Sequence, residues 1–268
     1  VRFDAGTGFD VRETVRISRA SADQRRGRAG RTRAGTCVRL WSLAEHATLR
    51  VAETPEILQT DLARVRLELA EWGTTDPTHL NWLSSPSSSQ WDQAAEHLRA
   101  LRLIDSANAI TELGRNALQI PLPPRFAVLA ILLFRSGHWS AQQHSIYALS
   151  DGSSSKQAPS FWSKQLGERL QKIPVAKSNH SVTYAWALAF ADRIASRTQS
   201  GRWLLPSGQE VKLSAANDPG LLIVDSSILA IETREIKREL TVVNGMLVEN
   251  RLLEQWIPEL ALEYKKNT

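Results

Sequence analysis

Gln24-Arg25-Arg26-Gly27-Arg28-Ala29-Gly30-Arg31 is the stretch from which the rest of this 268-residue chain is read. It holds four arginines within eight residues, broken by two glycines, with no lysine and no acid among them. A solvated charge run ordinarily mixes lysine and acids; arginine interrupted by glycine is instead suited to letting a planar guanidinium fork grip phosphate oxygens at close backbone approach. Arg28 and Arg31 are spaced i, i+3, so a helical turn would project both from one face towards one triphosphate. Gln24 lies four residues before Arg28 and shares that face; its amide can hydrogen-bond a phosphate or orient a water. Gly27 and Gly30 leave room for a neighbouring lobe. The alternative is an arginine-rich exposed turn without a partner.

The charge around this stretch is local. Residues 1–40 carry ten arginines against Asp4, Asp10, Glu13 and Asp23, a surplus of six, whereas the whole chain has a net charge of +5. No lysine precedes Lys156. A phosphate-bearing partner is implied, without deciding between a nucleotide and a polymer. With 42% apolar and 23% charged residues and nine tryptophans, the composition is that of a globular protein with room for more than one domain. The longest apolar run, Phe126–Phe134, is far short of a membrane span, so no membrane partner is expected. Cys37 is the only cysteine, which excludes a disulfide framework or a cysteine-rich zinc site and fits a reducing cytoplasm. The opening at Val1 reads as mid-strand sequence, hence as a piece of a longer protein.

Working outward, Val1–Phe3 and Phe9–Ile17 flank Asp4-Ala5-Gly6-Thr7-Gly8 as hairpin arms. Ser21 is a candidate N-cap for a short helix carrying Asp23, Gly30 or Gly35 can end it, and Cys37–Trp41 follows as a strand. From Thr54 the period is helical, with Thr60 as a candidate cap, Leu62, Val65, Leu69 and Trp72 on one stripe, and Gly73 as the stop. Ser89 can cap the next helix, on which Trp91, Ala94, Ala95, Leu98 and Leu101 share a face. A tight turn at Ser106-Ala107-Asn108 and a helix from Thr111 complete a helix, helix, small hairpin, helix order. Pro121-Leu122-Pro123-Pro124 is a rigid joint, and Arg125–Ser136 reads as a buried central helix. Ser140–Asp151, Phe161–Ile173 and Val182–Arg197 continue a helical bundle. From Gly201 short strands rich in β-branched residues suggest a small barrel: Arg202–Leu205, Glu210–Leu213, Leu221–Val224, Ser227–Ile231, Glu235–Val243 and Met246–Val248. Asn244-Gly245 is the strong hairpin signal there, and Leu252–Tyr264 reads as a last helix.

The pattern Gln-Arg-x-Gly-Arg-x-Gly-Arg resembles motif VI of superfamily 2 helicases, and residues 24–37 are similar to its DEAH-box branch. Ile17–Asp23 resembles the family's lead into that motif, Pro55–Leu62 its entry to a winged helix, and Leu113-Gly114-Arg115 with Pro121–Arg125 its passage to a ratchet-like bundle. Leu188–Ala195 and Gly201–Gly208 are most similar to the bacterial HrpB-type subgroup. The resemblance implies a multidomain, mainly α C-terminal region of an ATP-dependent RNA helicase. Its parts would be the α/β edge of a second RecA-like lobe at 1–52, a winged helix at 53–119, a ratchet-like bundle at 120–200 and a β-rich oligonucleotide-binding-like domain at 201–268. It implies that Gln24, Arg28 and Arg31 contact ATP phosphates, with Arg28 and Arg31 as arginine fingers, Gly27 and Gly30 beside them, Arg25 bracing the lobe, and Arg33 and Arg39 solvated. The partners implied are RNA, with single-stranded DNA as an alternative, and an N-terminal RecA-like lobe that supplies most of the ATP and Mg2+ site. No Gly-x-x-x-x-Gly-Lys-Ser/Thr and no Asp-Glu-Ala-His occurs in the chain, so the chain alone is expected to be inactive. Gly152–Gln157 lacks the second glycine and the hydroxyl residue of a phosphate loop. The histidines His46, His79, His97, His138, His144 and His180 show no metal spacing. Trp91, Leu98 and Trp139 read as packing residues, and Arg202, Lys212, Lys237 and Arg238 as candidate RNA contacts. Two other readings compete: a non-catalytic nucleic-acid-binding module, and an interaction scaffold whose arginines are structural.

Overall fold

The apolar segment after the Pro121–Pro124 joint forms the axis of the computed structural model. This structure describes residues 2–4, 9–11, 14–151, 158–174, 177–197, 203–205, 208, 210–213, 226–236 and 239–249. Helix α6 (Pro124–Arg135) begins with proline at its first position, where a missing N–H costs nothing. Every residue from Ala127 to Leu133 is buried, as expected of a helix that is apolar nearly all round. Helices α7 (Trp139–Asp151), α8 (Ser160–Lys172) and α9 (Val182–Ala189) pack around it.

On the N-terminal side, α3 (Ala63–Glu71), α4 (Ser88–Ala100) and α5 (Glu112–Leu118) join the same core. One continuous cluster of buried side chains runs from Ala63 through Leu98, Leu103, Ile120 and Leu133 to Ile194. It therefore crosses position 120, where the sequence suggests a boundary. Arg64 fastens the joint: its guanidinium donates to the carbonyl oxygens of Leu118, Ile120 and Leu122 at 3.1, 3.2 and 3.4 Å, and its Nε to Glu68 at 2.7 Å. Gly73, at φ +81°, ends α3 with the N–H of Thr74 donating to Leu69 O. The hairpin at 105–109 is a single bridge, Ile104 to Ile110. Gly114 admits the hairpin strand to α5, because a Cβ there would stand 2.2 Å from Leu103 O.

Several local expectations shift. Helix α4 is capped by Ser87, not Ser89. Leu62, not Thr60, is the N-cap residue of α3, and Asp61 Oδ1 accepts from Ala63 N at 2.9 Å. The helix expected over 182–197 ends at Ala189; a 3-10 turn, Ala191–Arg193, then feeds β3 (Ile194–Arg197), so Ala195 sits on a strand. This β3, β4 (Trp203–Leu204), β5 (Glu210–Leu213), β6 (Ser226–Ile236) and β7 (Glu239–Glu249) close a barrel in the order β3-β4-β5-β7-β6. The barrel expected from residue 201 thus begins at Ile194. Asn244-Gly245 is not a turn: both residues lie inside β7, opposite Glu232 and Ala230, where the register shifts. A bulge is the other place where residues tolerant of irregular backbone are found in a strand. Arg202, Lys237, Arg238, Leu221–Val224, Leu252–Tyr264 and Gly152–Gln157 lie outside the described residues.

The first residues form a separate pair, β1 (Arg2–Asp4) with β2 (Phe9–Val11), antiparallel with Phe3 opposite Asp10. Helices α1 (Arg19–Arg28) and α2 (Leu43–Thr48) follow. The strand expected at Cys37–Trp41 is absent; residues 34–39 carry no regular structure. Among the described residues no helix is long and apolar enough to cross a membrane.

Candidate phosphate-binding site

The arginine stretch occupies the end of α1. Ser18, fully buried, caps this helix by accepting from Ser21 N at 3.1 Å, so the cap lies one turn before the expected Ser21. The helix start is tied down along the segment after α2. Backbone N–H groups of Arg19 and Ala20 donate to the carbonyls of Arg50 and Val51 at 2.8 and 3.0 Å. The Arg19 side chain donates to the carbonyls of Leu49, at 3.1 Å, and Ala47. Ser18 N donates to Glu53 Oε1 at 2.9 Å; hydrogen bonding from Ser18, its backbone N–H foremost, holds the Glu53 carboxyl below its ordinary range, helped by the charges of Arg50 and Arg25.

Ala22 alone of α1 is buried. Gln24, Arg25, Arg26, Gly27 and Arg28 are all exposed, and so are Ala29, Gly30 and Arg31 beyond the helix. Gln24 and Arg28 share a face four residues apart. Arg31 does not complete the expected helical i, i+3 pair, because the helix stops at Arg28 and Arg31 follows a turn at Ala29-Gly30. Among the described residues Gln24, Arg28 and Arg31 have no side-chain hydrogen bond or ion pair. Arg26 has a loose contact with Asp23, 3.8 Å. Arg25, expected to brace the lobe, is exposed and acts on Glu53 only through its charge. Three arginines in the last turn of α1 also suit the negative end of the helix dipole. A Cβ on Gly27 or Gly30 would meet nothing within 4 Å. The 250 Å3 cleft nearby is lined by Val15, Arg16, Thr48, Leu49 and Arg50. None of the candidate residues lines it; they form an open cationic surface rather than a cavity.

Arg39 and Gly35 are two further residues whose surroundings the sequence did not reveal. Arg39, expected to be solvated, turns back onto α1 and donates to Asp23 Oδ1 at 2.5 Å. A Cβ on Gly35 would stand 1.9 Å from Ala29 O, so this glycine serves a close backbone approach and not a helix stop. Its appearance shortly after an arginine-glycine run was the only sequence signal.

No cluster of three or more His, Cys, Asp or Glu that could hold a metal ion occurs among the described residues. Trp91 and Leu98 are buried at 4% and 0% exposure, and Trp139 stacks at a tilt on Trp162, 6.2 Å between centroids, as the packing reading requires.

No family model matches the chain. Curated proteins do. The ATP-dependent RNA helicase HrpB of Escherichia coli is 31% identical over 228 residues, covering 80% of this chain and 28% of that protein. The homologues of this chain are DEAH-box helicases. Another is the ATP-dependent RNA helicase HrpA of Borreliella burgdorferi, 38% identical over 123 residues, 46% of this chain and 15% of HrpA. The human protein named probable ATP-dependent RNA helicase DHX35 is 34% identical over 142 residues, 53% of this chain and 20% of its own length. The crystal structure of the E. coli DExH-box NTPase HrpB superposes with a TM-score of 0.72 at 28% identity, covering 96% of this chain and 33% of HrpB. The mainly helical fold is thus shared with HrpB. The chain spans less than a third of the length of each of these curated helicases.

Proposed function

We propose that this chain is the C-terminal part of an ATP-dependent RNA helicase and that Gln24, Arg28 and Arg31 complete an ATP site whose other half lies on a separate RecA-like lobe. The observation that carries this is the exposed end of α1. There, two guanidiniums and an amide stand without partners among the described residues, beside glycines open to approach, in a chain homologous to DEAH-box helicases. Guanidiniums so placed donate charge-assisted hydrogen bonds to the terminal phosphate oxygens. As charge redistributes during phosphoryl transfer they stabilise it, an effect worth about 10³–10⁵ in rate for an inserted arginine. Gln24, on the face of Arg28, is placed to hold the attacking water. In this reading the protein ligands of the Mg2+ that accompanies ATP lie on that separate lobe.

The modules follow the order of the resemblance. Residues 1–52 are the edge of the second RecA-like lobe, 53–119 a winged helix, 120–200 a ratchet-like bundle and 201–268 an oligonucleotide-binding-like barrel. The α3–α4–hairpin–α5 order supports the second and the closed barrel supports the fourth, with its first strand at Ile194–Arg197. RNA, or single-stranded DNA, would lie across the accessory modules and be held through phosphates and stacking. In the complete helicase, Arg28→Ala and Arg31→Ala are expected to lower RNA-stimulated ATP turnover by a factor on the order of 10³ each. Turnover at the wild-type rate in either variant removes that residue from the site, and in both removes this reading.

A further inference from the structure

Arg39 has no role in the reading above, and its surroundings give it one. The segment from Gly30 to Trp41 has no regular structure and, among the described residues, no backbone–backbone hydrogen bond. What fixes it against α1 is therefore its side chains and one glycine. Arg39 keeps only 25% of its side-chain surface in solvent. One end of its guanidinium donates to Asp23 on α1 at 2.5 Å; the other lies 3.3 and 3.2 Å from the two ring nitrogens of His46 on α2. Trp41 Nε1–H also reaches His46 Nδ1, at 3.5 Å. Arg39 thus ties α1 to α2 through a fork that a lysine could not reproduce. The second grip is at Gly35, whose Cα passes so close to Ala29 that a Cβ would overlap its carbonyl. Asp23 immediately precedes Gln24 and Ala29 immediately follows Arg28. The two grips bracket Gln24 and Arg28, and Arg31 follows two residues after the second.

We propose that Arg39 is a positioning residue for that stretch: through Asp23, and with Gly35 packed against Ala29, it holds Gln24, Arg28 and Arg31 in the orientation in which they meet the terminal phosphate. The inference rests on the proposed function. It differs from a plain surface ion pair, which would contribute little and would be indifferent to what α1 does. A transition-state contact is sensitive to displacements on the order of 1 Å, so a loosened helix loses rate before it loses nucleotide affinity.

The test uses the complete helicase and RNA-stimulated ATP turnover, with thermal unfolding of each variant measured alongside. Arg39→Ala is expected to lower kcat about tenfold with KM for ATP held within about twofold, the signature of a misplaced transition-state group. Arg39→Lys is expected to recover part of the loss, and the exchanged pair Asp23→Arg with Arg39→Asp more of it. In an Arg28→Lys background, Arg39→Ala is expected to add little, because the residue it positions is already altered. Wild-type kcat in Arg39→Ala overturns the proposal. So does a loss that repeats in full in the Arg28→Lys background, or one that tracks melting temperature and is not relieved by the exchanged pair. The two readings fail separately: full turnover in Arg28→Ala and Arg31→Ala sinks the ATP site itself, whereas their loss beside an intact Arg39→Ala sinks only the positioning role.

Discussion

At the scale of single residues, the four glycines around α1 and α5 divide by what surrounds them. Gly27 and Gly30 face open space, whereas Gly35 and Gly114 sit against backbone carbonyls at distances a Cβ cannot share. Their flanking residues differ but none of them announces a close approach, so only the three-dimensional neighbours separate the two kinds. Alanine at Gly27, inside α1, is expected to leave thermal stability unchanged or raise it, by about 0.5–1 kcal/mol from helix propensity. Alanine at Gly35 or Gly114 is expected to lower it, since backbone must move. Melting temperatures of the isolated chain check both statements; a Gly27→Ala that melts well below wild type, or a Gly114→Ala that does not, contradicts them. The exposed cationic end of α1 was legible because charge is a property of the sequence itself, whereas the expected i, i+3 pairing of Arg28 with Arg31 failed because the helix stops at Arg28. The contact of Arg39 was not legible, because its partner Asp23 is sixteen residues away and no local pattern announces a chain reversal.

At the scale of elements, His97 of α4, Arg125 of α6 and Asp192 of the Ala191–Arg193 turn come within reach of one another's charge, a titratable junction that no helical stripe reveals. Arg125, 6% exposed, holds Asp192 with two bonds of 2.6 and 2.7 Å and donates to Ala189 O at 3.0 Å. Its guanidinium lies over the Phe190 ring, 4.7 Å from the centroid. Desolvation opposes the Asp192 charge, but the Arg125 charge and hydrogen bonds outweigh it and hold the carboxyl well below its usual range. Asp192 keeps 41% of its side-chain surface in solvent, so this pair is screened. His97 on α4 is pulled down to about 4, first by burial and then by the Arg125 charge; its Nε2 has no partner among the described residues. An unfolded histidine titrates near about 6.5, so between those values the unfolded chain binds a proton that folded His97 refuses. The His97 contribution is fully present above about pH 6.5 and is lost as the pH falls towards 4. Denaturant melts over that range should show a smaller acid loss for His97→Gln than for wild type; equal slopes would show that His97 does not carry the effect. Periodicity located the cores of α4 and α6 well, because apolar faces repeat locally; on α3 the expected stripe held only in part, since Trp72 is exposed while Ala63, Leu67 and Ala70 turn inward. It placed the end of α9 too far because Leu188, Ala191 and Ala195 continue an apolar helical stripe, and only pairing with β4 and β6 makes Ile194–Arg197 a strand. It read Asn244-Gly245 as a turn because a hairpin and a bulge ask for the same residues.

At the scale of the molecule, one buried cluster from Ala63 to Ile194 joins what the sequence divides at residue 120. A shared core transmits cooperativity, so the α3–α5 and α6–α9 regions are expected to unfold together. Leu133, fully buried in α6, is a suitable probe: Leu133→Ala should cost about 2–5 kcal/mol. Hydrogen exchange should show the loss equally on α4 and on α9, and a loss confined to α6–α9 would restore two independent units. The α1 end has no such enclosure, since Ala22 is its one buried residue and residues 24–31 are all exposed. That asymmetry, a closed core beside an open cationic turn, is the basis for assigning the chain to half of an ATP site. The most direct test is single-turnover ATP hydrolysis by the complete helicase carrying Arg28→Ala, with ATP affinity measured in parallel. The hydrolysis rate should fall by a factor on the order of 10³ while the affinity changes by less than about tenfold. A wild-type hydrolysis rate, or a loss explained entirely by failure to bind ATP, would contradict the assignment of Arg28 to the transition state.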